Sequence, residues 1–245
     1  MSEKSWPVFW GMTALAVALV IMGLLIGHSL REIRRTNDTI TVTGSARRPI
    51  RSDLILWTCR VTERAATIKE AYQQVKRSTS RVVEYLRAEK VAANEITLQS
   101  ITTNPLYQTD HVGEVTSRTL VGYELVQAVT IESHNVDAIA ALSRKITDLI
   151  EEGVPLESDA PQYYFTKLSE LRIQMLGEAT KDAKQRAQTM VEAVGSRVGS
   201  LRSIRSGVFQ ITPRFSTEVS GAGENDTTAL DKDITAVVTA TFAVE

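Results

Sequence analysis

The sequence predicts an α+β protein, with a mostly antiparallel sheet backed by about three amphipathic helices and preceded by one N-terminal transmembrane helix. Three observations lead to this prediction. Strand and helix patterns alternate along the chain, but short polar turns join several strands directly, which favours antiparallel pairing. A long amphipathic helix lies in the C-terminal half. An uncharged apolar run stands at the N-terminus.

The long helix is expected to begin near Leu168 and to end at Gly195. Its apolar residues recur at steps of three and four, which places them on one face: Leu168, Leu171, Met175, Leu176, Ala179, Ala183, Ala187, Met190, Val191 and Val194. Alanine in the middle of this stripe predicts a close approach to a β-sheet. Gly195 ends the helix because the residue after the C-cap usually needs a positive φ angle.

The N-terminal run, Pro7 to Ile26, contains no charged residue. About 20 helical residues at about 1.5 Å each span the hydrocarbon layer of about 30 Å. Trp6 and Trp10 lie where interfacial aromatic residues are expected. Because no cleavage tripeptide of the A-x-A type follows the run, we expect an uncleaved single-pass anchor whose partner is the lipid bilayer.

The chain is therefore expected to consist of a membrane anchor (1–30), a polar stalk (31–38) and an α+β body (39–245). Arginines at three positions of the stalk follow the anchor, and by the positive-inside tendency alone they would leave the body in the cytoplasm. Long domains, however, translocate largely regardless of flanking charge. The residues alone therefore do not decide whether the body lies in the cytoplasm or in the periplasm.

Within the body, the first strand is expected at Thr39 to Thr43, with a turn at Gly44. A second strand covers 53–63, and its face with Trp57 and Val61 is expected to meet the first helix. The other expected elements are a helix over 67–89 with Thr67 as N-cap, a strand at 96–107 that Pro105 confines to an edge, a polar loop or hairpin at 108–117, a strand at 119–133, a helix over 136–151 ended by Gly153 and Pro155, strands at 156–165, 200–212 and 233–244, and a flexible loop at 214–230.

The pattern strand, helix, strand occurs twice, over 53–107 and again over 119–165. Residue identity between the two stretches is weak. The pattern indicates two helix-backed halves within one body.

Composition limits the possible functions. The chain has 28 basic and 29 acidic residues, a net charge of −1 and no dense basic patch, which disfavours nucleic-acid binding. A single cysteine, Cys59, excludes an intrachain disulfide and a CxxC redox or zinc site. We expect Cys59 to serve as a small apolar residue in its strand.

No catalytic constellation stands out. The three histidines, His28, His111 and His134, share no local motif, and the chain lacks the GxSxG, Walker A and dinucleotide-binding patterns. We therefore expect a non-enzymatic protein with no catalytic residue and no cofactor. Acidic residues near the C-terminus have oxygen ligands suited to calcium, but their spacing misses the EF-hand pattern and favours a solvated loop without a metal: Glu224, Asp226, Asp231 and Asp233.

The long helix also supports a resemblance to a known family. After a strand exit at Phe165 to Ser169, the helix and the strand that follows it resemble the SIMPL-domain family, a bacterial domain of unknown function. The matching positions are Asp182, Ala183, Arg186, Ala187, Gly195, Val198 and Gly199. The strand that ends at Gly44 is similar to the opening strand of the family. Ala46 and the Ser52-Asp53 pair depart from the family pattern.

The resemblance extends over Thr39 to Glu245 and implies an α+β body. It also implies export, and hence a body in the periplasm attached to the bacterial inner membrane. Some relatives form ring-like or higher oligomers and are linked to envelope stress, so a homo-oligomer is implied here.

Two hypotheses of function follow. The first is a membrane-anchored envelope protein that acts as an oligomeric scaffold or interaction module, with an unidentified protein partner and a role in envelope stress. The second is a periplasmic binding module for a small ligand or a peptide, held in a cleft between the helix-backed halves or added to an exposed strand edge. An enzyme is the third and least supported hypothesis.

Overall fold

The structure is a computed structural model that describes residues 10, 12–13, 15–23, 38–112, 115–217 and 220–245. Side chains are described for all of these residues except 110–112 and 115–117. Residues 10, 12–13 and 15–23 are helical, and we label them α1. The rest of the expected anchor Pro7 to Ile26, and the expected stalk up to residue 37, lie outside the described residues. Within the described part of the chain, no helix combines the length and the apolarity required to cross a membrane.

The body divides into two compact units. Unit 1 contains the described residues of Met1–Arg47 together with Leu171–Phe209 and Thr235–Glu245. Unit 2 contains Arg48–Glu170 and Gln210–Ile234. The chain therefore passes from one unit to the other four times. Both of the strand–helix–strand stretches that the sequence predicts belong to unit 2.

Unit 1 is a small sheet with one long helix. Its elements, some of which continue into unit 2, are β1 (Thr39–Arg51), α4 (Leu168–Glu192), β8 (Val198–Ser206) and β11 (Asp231–Val244). In the sheet, β11 pairs with β1 and, in antiparallel register, with β8. The core consists of small residues and one aromatic ring: Val42, Ala183, Ala187, Ala240 and Phe242. The alanine stripe thus packs on a sheet, as expected.

Gly44 does not form the expected turn, because β1 continues through it to Arg51. The φ angle of Gly44 is not among the positive values of the described residues. A Cβ atom at this position would lie 2.3 Å from the carbonyl oxygen of Ala179 and 2.3 Å from the backbone nitrogen of Ala183. The glycine is therefore required by the close contact of α4 with β1, and the prediction of a turn was wrong.

Unit 2 contains a six-stranded sheet in the order β3-β5-β2-β6, in which β4 also pairs with β5 and β7 with β2. All pairings given for these strands are antiparallel. The strands are β2 (Leu54–Ala65), β3 (Ile96–Leu98), β4 (Thr102–Val112), β5 (Val115–Ser133), β6 (Leu156–Ser158) and β7 (Gln162–Tyr164). In the same unit, β9 (Gln210–Pro213) pairs with β10 (Glu224–Asn225) in parallel. A mostly antiparallel α+β body is thereby confirmed.

Two helices cover the six-stranded sheet, α2 (Ile68–Ala88) and α3 (Val136–Lys145). Thr67 caps α2 as predicted, since its side-chain oxygen accepts a hydrogen bond of 3.3 Å from the backbone N–H of Glu70. The predicted apolar face of β2 is buried: Ile55, Trp57, Cys59 and Val61. It packs in one core with the buried residues of both helices.

Several boundaries differ from the prediction. The strand at 96–107 is interrupted between β3 and β4, and the strand at 156–165 is divided into β6 and β7. The helix over 136–151 finishes as a 3-10 turn, Ile146–Ile150, and Gly153 follows with φ at 84°. The strand at 200–212 is two strands, β8 and β9. The pieces of an interrupted strand keep one partner strand: β3 and β4 both pair with β5, and β6 and β7 pair with different segments of β2.

Candidate functional site

The histidines do not form a catalytic group within the described residues. His134 Nδ1 donates to the main-chain carbonyl oxygen of Asp53 over 2.6 Å. The Asp53 carboxylate in turn accepts hydrogen bonds of 2.7 and 2.8 Å from the backbone N–H and the hydroxyl of Thr166. These bonds join the start of β2 to the segment before α4, so their role is structural. His28 and the side chain of His111 lie outside the description.

Cys59 is a core residue, as the sequence predicts. Its side chain is fully buried in β2. Burial, with a smaller contribution from the Asp159 carboxylate, raises the pKa of the Cys59 thiol to about 12. Since the thiolate is the nucleophilic form, this thiol is unreactive near neutral pH.

The acidic residues near the C-terminus do not converge on a metal site. No cluster of three or more potential ligands is found among His, Cys, Asp and Glu of the described chain. Instead, Asp226 accepts hydrogen bonds from the backbone N–H groups of Thr228 and Ala229 and from the Thr228 hydroxyl. Asp226 and Asp233 are largely buried, so the prediction that these carboxylates are solvated was wrong for these two residues.

Lys232 explains why Asp226 can be buried. The Lys232 side chain is 3% exposed, and its Nζ donates to the main-chain carbonyl oxygens of Tyr163 and Asp226. Nζ also lies 4.0 Å from Asp226 Oδ2. Burial lowers the pKa of Lys232, and the Asp226 carboxylate opposes this shift. All of these contacts lie within unit 2. The buried pair therefore connects β7, β11 and the loop before β11.

The residues of the family resemblance are structural in unit 1. Asp182 Oδ2 accepts a hydrogen bond of 2.8 Å from the backbone N–H of Ser45 and another of 2.8 Å from Arg186 Nε. Ala183 and Ala187 are fully buried beneath the sheet. Gly195 has φ at 77° and follows the end of α4. The motif therefore accounts for the packing of one helix on one sheet and assigns no chemistry.

The surface with the clearest capacity for interaction is a long hairpin in unit 2. Strand β5 pairs with β2 only from Tyr123 onward, whereas β4 and β5 pair out to Val112 and Val115. The register shifts by one residue between Leu106 and Tyr107. Residues 107–112 and 115–121 thus form a two-stranded arm that extends beyond β2. We call this segment the arm.

The arm has exposed apolar side chains along its described part. Tyr107, Leu120 and Val121 are each about half exposed. Arg118 lies over the ring of Tyr107, with its guanidinium carbon 5.3 Å from the ring centre. Neither outer edge of the arm pairs with a strand of the described chain. The arm therefore offers both unpaired backbone groups and apolar surface.

A groove lies beside α2 in the same unit. Its lining includes Tyr72, Val83, Leu98, Ile101 and Gln127, and its volume is about 420 Å³. A second depression of about 370 Å³ shares Tyr72 and Ile101 with the first and continues it toward the start of α2. We call the two together the α2 groove. It exists because α2 covers β2 and β5 and leaves the β3–β4 edge of the sheet uncovered.

The sequence predicted neither the length of the arm nor the groove. It did predict the edge position of β4 from Pro105 and a polar loop or hairpin at 108–117, and the hairpin alternative is confirmed. The sequence Val112-Gly113-Glu114-Val115 contains a signal that could have revealed the arm, since glycine at the first position of a two-residue loop favours a tight hairpin. The groove had no such signal, because it depends on where α2 lies across the sheet.

The search of curated proteins finds no match. Among solved structures, the chain is similar to a de novo designed protein, Foldit4, with 13% identity, a TM-score of 0.21 and coverage of 43% of this chain and 93% of that one. It is also similar to a putative amidohydrolase/peptidase from Burkholderia cenocepacia, with 11% identity, a TM-score of 0.22 and coverage of 51% and 29%. At these TM-scores neither likeness supports an argument.

One comparison is informative. The family model named SIMPL, described as a protein of unknown function (DUF541), matches residues 40–242. This match covers nearly all of the α+β body, including the motif residues of α4 and the close contact at Gly44. The chain therefore belongs to the SIMPL family.

Proposed function

We propose that this chain is a membrane-anchored envelope protein whose body lies in the periplasm and assembles into a homo-oligomeric scaffold. The observation that supports the assembly is the arm. A two-stranded hairpin alone is at best marginally stable in water, because it lacks a third strand or a covering helix. The arm also exposes unpaired strand edges, which favour pairing with another chain.

A second copy supplies what the arm lacks. Pairing of an arm with a strand of a neighbouring copy would satisfy its outer N–H and C=O groups. The same contact would cover Tyr107, Leu120 and Val121, which are half exposed in the single chain. Homo-oligomers with closed symmetry are the commonest assemblies of this kind.

The anchor is supported by the exposure of α1. Its large apolar side chains are more than half exposed, as at Trp10, Leu15 and Val20. Apolar residues on every side of a helix suit a lipid environment better than water. The periplasmic position is proposed from the resemblance to the family, which implies export, against the arginines of the stalk. A role in envelope stress is part of the same proposal.

Light scattering on the full chain in detergent micelles tests the assembly. We expect one discrete oligomer whose protein mass does not change with concentration. The double variant Tyr107→Lys, Leu120→Lys introduces two charges on the arm and should reduce the mass to that of a monomer. The control Ile173→Lys alters an exposed apolar residue of α4 and should keep the oligomer. A monomeric wild-type chain at all concentrations would overturn the proposal.

Two further measurements test the anchor and its orientation. The chain should stay with the membrane fraction during alkaline carbonate extraction. A C-terminal alkaline phosphatase fusion should be active, because that enzyme folds only after export. An inactive phosphatase together with a fluorescent cytoplasmic reporter would place the body in the cytoplasm and refute this part of the proposal.

The α2 groove favours the alternative function, a periplasmic ligand- or peptide-binding module. It provides an apolar concavity next to an uncovered sheet edge, which is the arrangement used by peptide-binding proteins that add a strand. Scaffolding and peptide binding are compatible, since the arm and the groove use different residues.

A further inference from the structure

The geometry points to the α2 groove as a binding site for an extended acidic peptide, which adds a strand along the β3–β4 edge and inserts alternate apolar side chains beneath α2. This inference rests on the alternative function proposed for the groove and names the chemical class of its ligand, and it does not depend on oligomerisation.

The groove has an apolar floor. Leu98 is 52% exposed and Tyr72 is 47% exposed, and both line the groove. Ile101 is shared by both parts of the groove. Alternate side chains of a strand point to the same face, so an added strand would direct every second residue toward this floor.

One side of the groove is a strand edge. Strands β3 and β4 pair with β5 on one side, and within the described residues no strand pairs with them on the other. The backbone groups on that outer side are therefore available to a peptide. This edge is the reason for an extended occupant rather than a helical one, since a helix satisfies its own backbone.

The length of the groove sets the length of the peptide. Its lining runs along α2 from Ile68 to Arg87. At about 1.5 Å per helical residue this distance is about 28 Å. A strand rises about 3.3 Å per residue, so about eight residues fill the groove.

The charge around the groove selects an acidic occupant. Lys69, Lys76 and Arg87 line it, whereas Glu84 is the one acidic residue among its described lining. None of the three basic side chains makes an ion pair with another described residue, whereas the nearby Arg81 is paired with Glu152. The whole chain has a net charge of −1, so this excess of positive charge is local. Complementary charge favours encounter and selects against basic partners.

The test uses the full chain in detergent micelles and a fluorescent peptide of about eight residues whose groove-facing alternate positions are leucine or valine in the centre and glutamate at both ends, with threonine at the positions between. A peptide with lysine at every glutamate position is its counterpart. We expect saturable binding of the acidic peptide and at least about tenfold weaker binding of the basic one. The double variant Lys76→Glu, Arg87→Glu should reverse this preference. The control Lys184→Glu makes the same change on an exposed site of α4 and should leave binding unchanged.

A second readout distinguishes the binding mode. Amide hydrogen exchange within β4 should slow when the acidic peptide is bound, because an added strand protects the outer N–H groups. The variant Leu98→Asp should abolish this protection without unfolding the chain, since Leu98 is half exposed. Binding with no protection of β4, equal affinity for both peptides, or binding unaffected by the Lys76 and Arg87 changes would each overturn the inference.

The arm variant separates this inference from the proposed scaffold. Tyr107→Lys, Leu120→Lys is expected to dissociate the oligomer and to retain the peptide affinity. Loss of peptide binding in that variant, with the groove residues intact, would place the binding site on the assembled arms and contradict the groove.

Discussion

The two units of the body achieve stability in different ways. In unit 1 a single helix lies so close to its sheet that the contact requires glycine on β1 and alanine on α4. In unit 2 two helices cover a wider sheet, and the core contains large side chains such as Trp57, Leu86 and Leu149. The packing of unit 1 therefore depends on small residues that leave room for a close approach, whereas the packing of unit 2 depends on the volume of large side chains.

This difference separates structural constraint from interaction surface. Unit 1 contains the motif by which the family resemblance is found, at Asp182, Ala183, Arg186 and Ala187. Those side chains are occupied with one another or with the sheet. Unit 2 contains the arm and the α2 groove, where strand edges and apolar side chains remain uncovered. A strong sequence motif in this protein therefore indicates packing, while the candidate function lies elsewhere.

The largest effect is expected where volume matters most, at Trp57. The Trp57→Ala substitution should lower the free energy of unfolding by about 3–5 kcal/mol, because it leaves a cavity and removes a large buried ring. It also removes the hydrogen bond of 3.1 Å from Trp57 Nε1 to Ser158 Oγ. Urea unfolding measures the loss. Phe215→Ala, at a ring that is 82% exposed, should stay within about 0.5 kcal/mol of wild type.

The next largest effect is expected in unit 1, where adding a side-chain atom, rather than removing atoms, should destabilise the protein. The Gly44→Ala substitution adds one methyl group that would lie 2.3 Å from backbone atoms of α4. Overpacking of this kind typically costs about 1–3 kcal/mol, and we expect the upper end because the opposing atoms belong to the backbone. The matched control is Gly177→Ala, where a Cβ meets nothing within 4 Å. That change should raise stability by about 0.5–1 kcal/mol. Equal effects at both glycines would refute the close-contact account.

A smaller effect is expected at the polar contact of the same helix. The Asp182→Asn substitution weakens the hydrogen bonds from Ser45 and Arg186, and it should destabilise the chain by about 1 kcal/mol. The comparison is Asp137→Asn, which removes the exposed ion pair with Arg51 in unit 2. Exposed pairs contribute little, so that variant should change unfolding by less than about 0.5 kcal/mol. If both variants behave alike, Asp182 has no special part in holding α4 to β1.

The smallest effect is a pH dependence in unit 2. Burial alone would raise the pKa of Asp226, but hydrogen bonds from Thr228 and Ala229, together with the charge of Lys232, hold it below its ordinary value of 3.8. A carboxyl group with a lowered folded-state pKa stabilises the protein above the unfolded value, and this contribution is lost as the pH falls through the folded value.

The stability difference between wild type and Asp226→Asn should therefore shrink as the pH is lowered through and below 3.8. Urea midpoints measured at a series of pH values test this expectation. Asp231→Asn removes an exposed carboxylate from the same region and is the matched control. A difference that stays constant from neutral to acidic pH would show that the ionised carboxylate is not what the loop requires.

Much of the local structure could be predicted because its causes are local. Thr67 starts a helix, Gly195 and Gly153 follow helix ends with positive φ, and alternation in β2 identifies its buried face. In each case a few neighbouring residues satisfy a backbone group or set a period. The alanines of α4 likewise predicted a close approach to a sheet.

Errors arose where a residue acts on a distant partner. Glycine is common in turns, so Gly44 predicted a turn. Here the glycine is needed because a helix more than 130 positions away along the chain packs against it, and in that helix Asp182 accepts a hydrogen bond from the backbone N–H of Ser45. Asp226 lies in a polar segment, which predicted a solvated loop. Its carboxylate is instead buried near Lys232, whose Nζ donates a hydrogen bond to the carbonyl oxygen of Tyr163. Neither contact leaves a periodic trace in the sequence.

The sequence by itself determined the fold class, the family and the apolar character of the N-terminal run, since these depend on pattern and composition. Only the tertiary structure decided where the uncovered surface lies. The arm appears because β2 stops pairing at Tyr123 while β4 and β5 continue, and the groove appears because α2 crosses two strands of a wider sheet. Both are differences between the extents of neighbouring elements, and such differences are set by long-range packing rather than by any single segment.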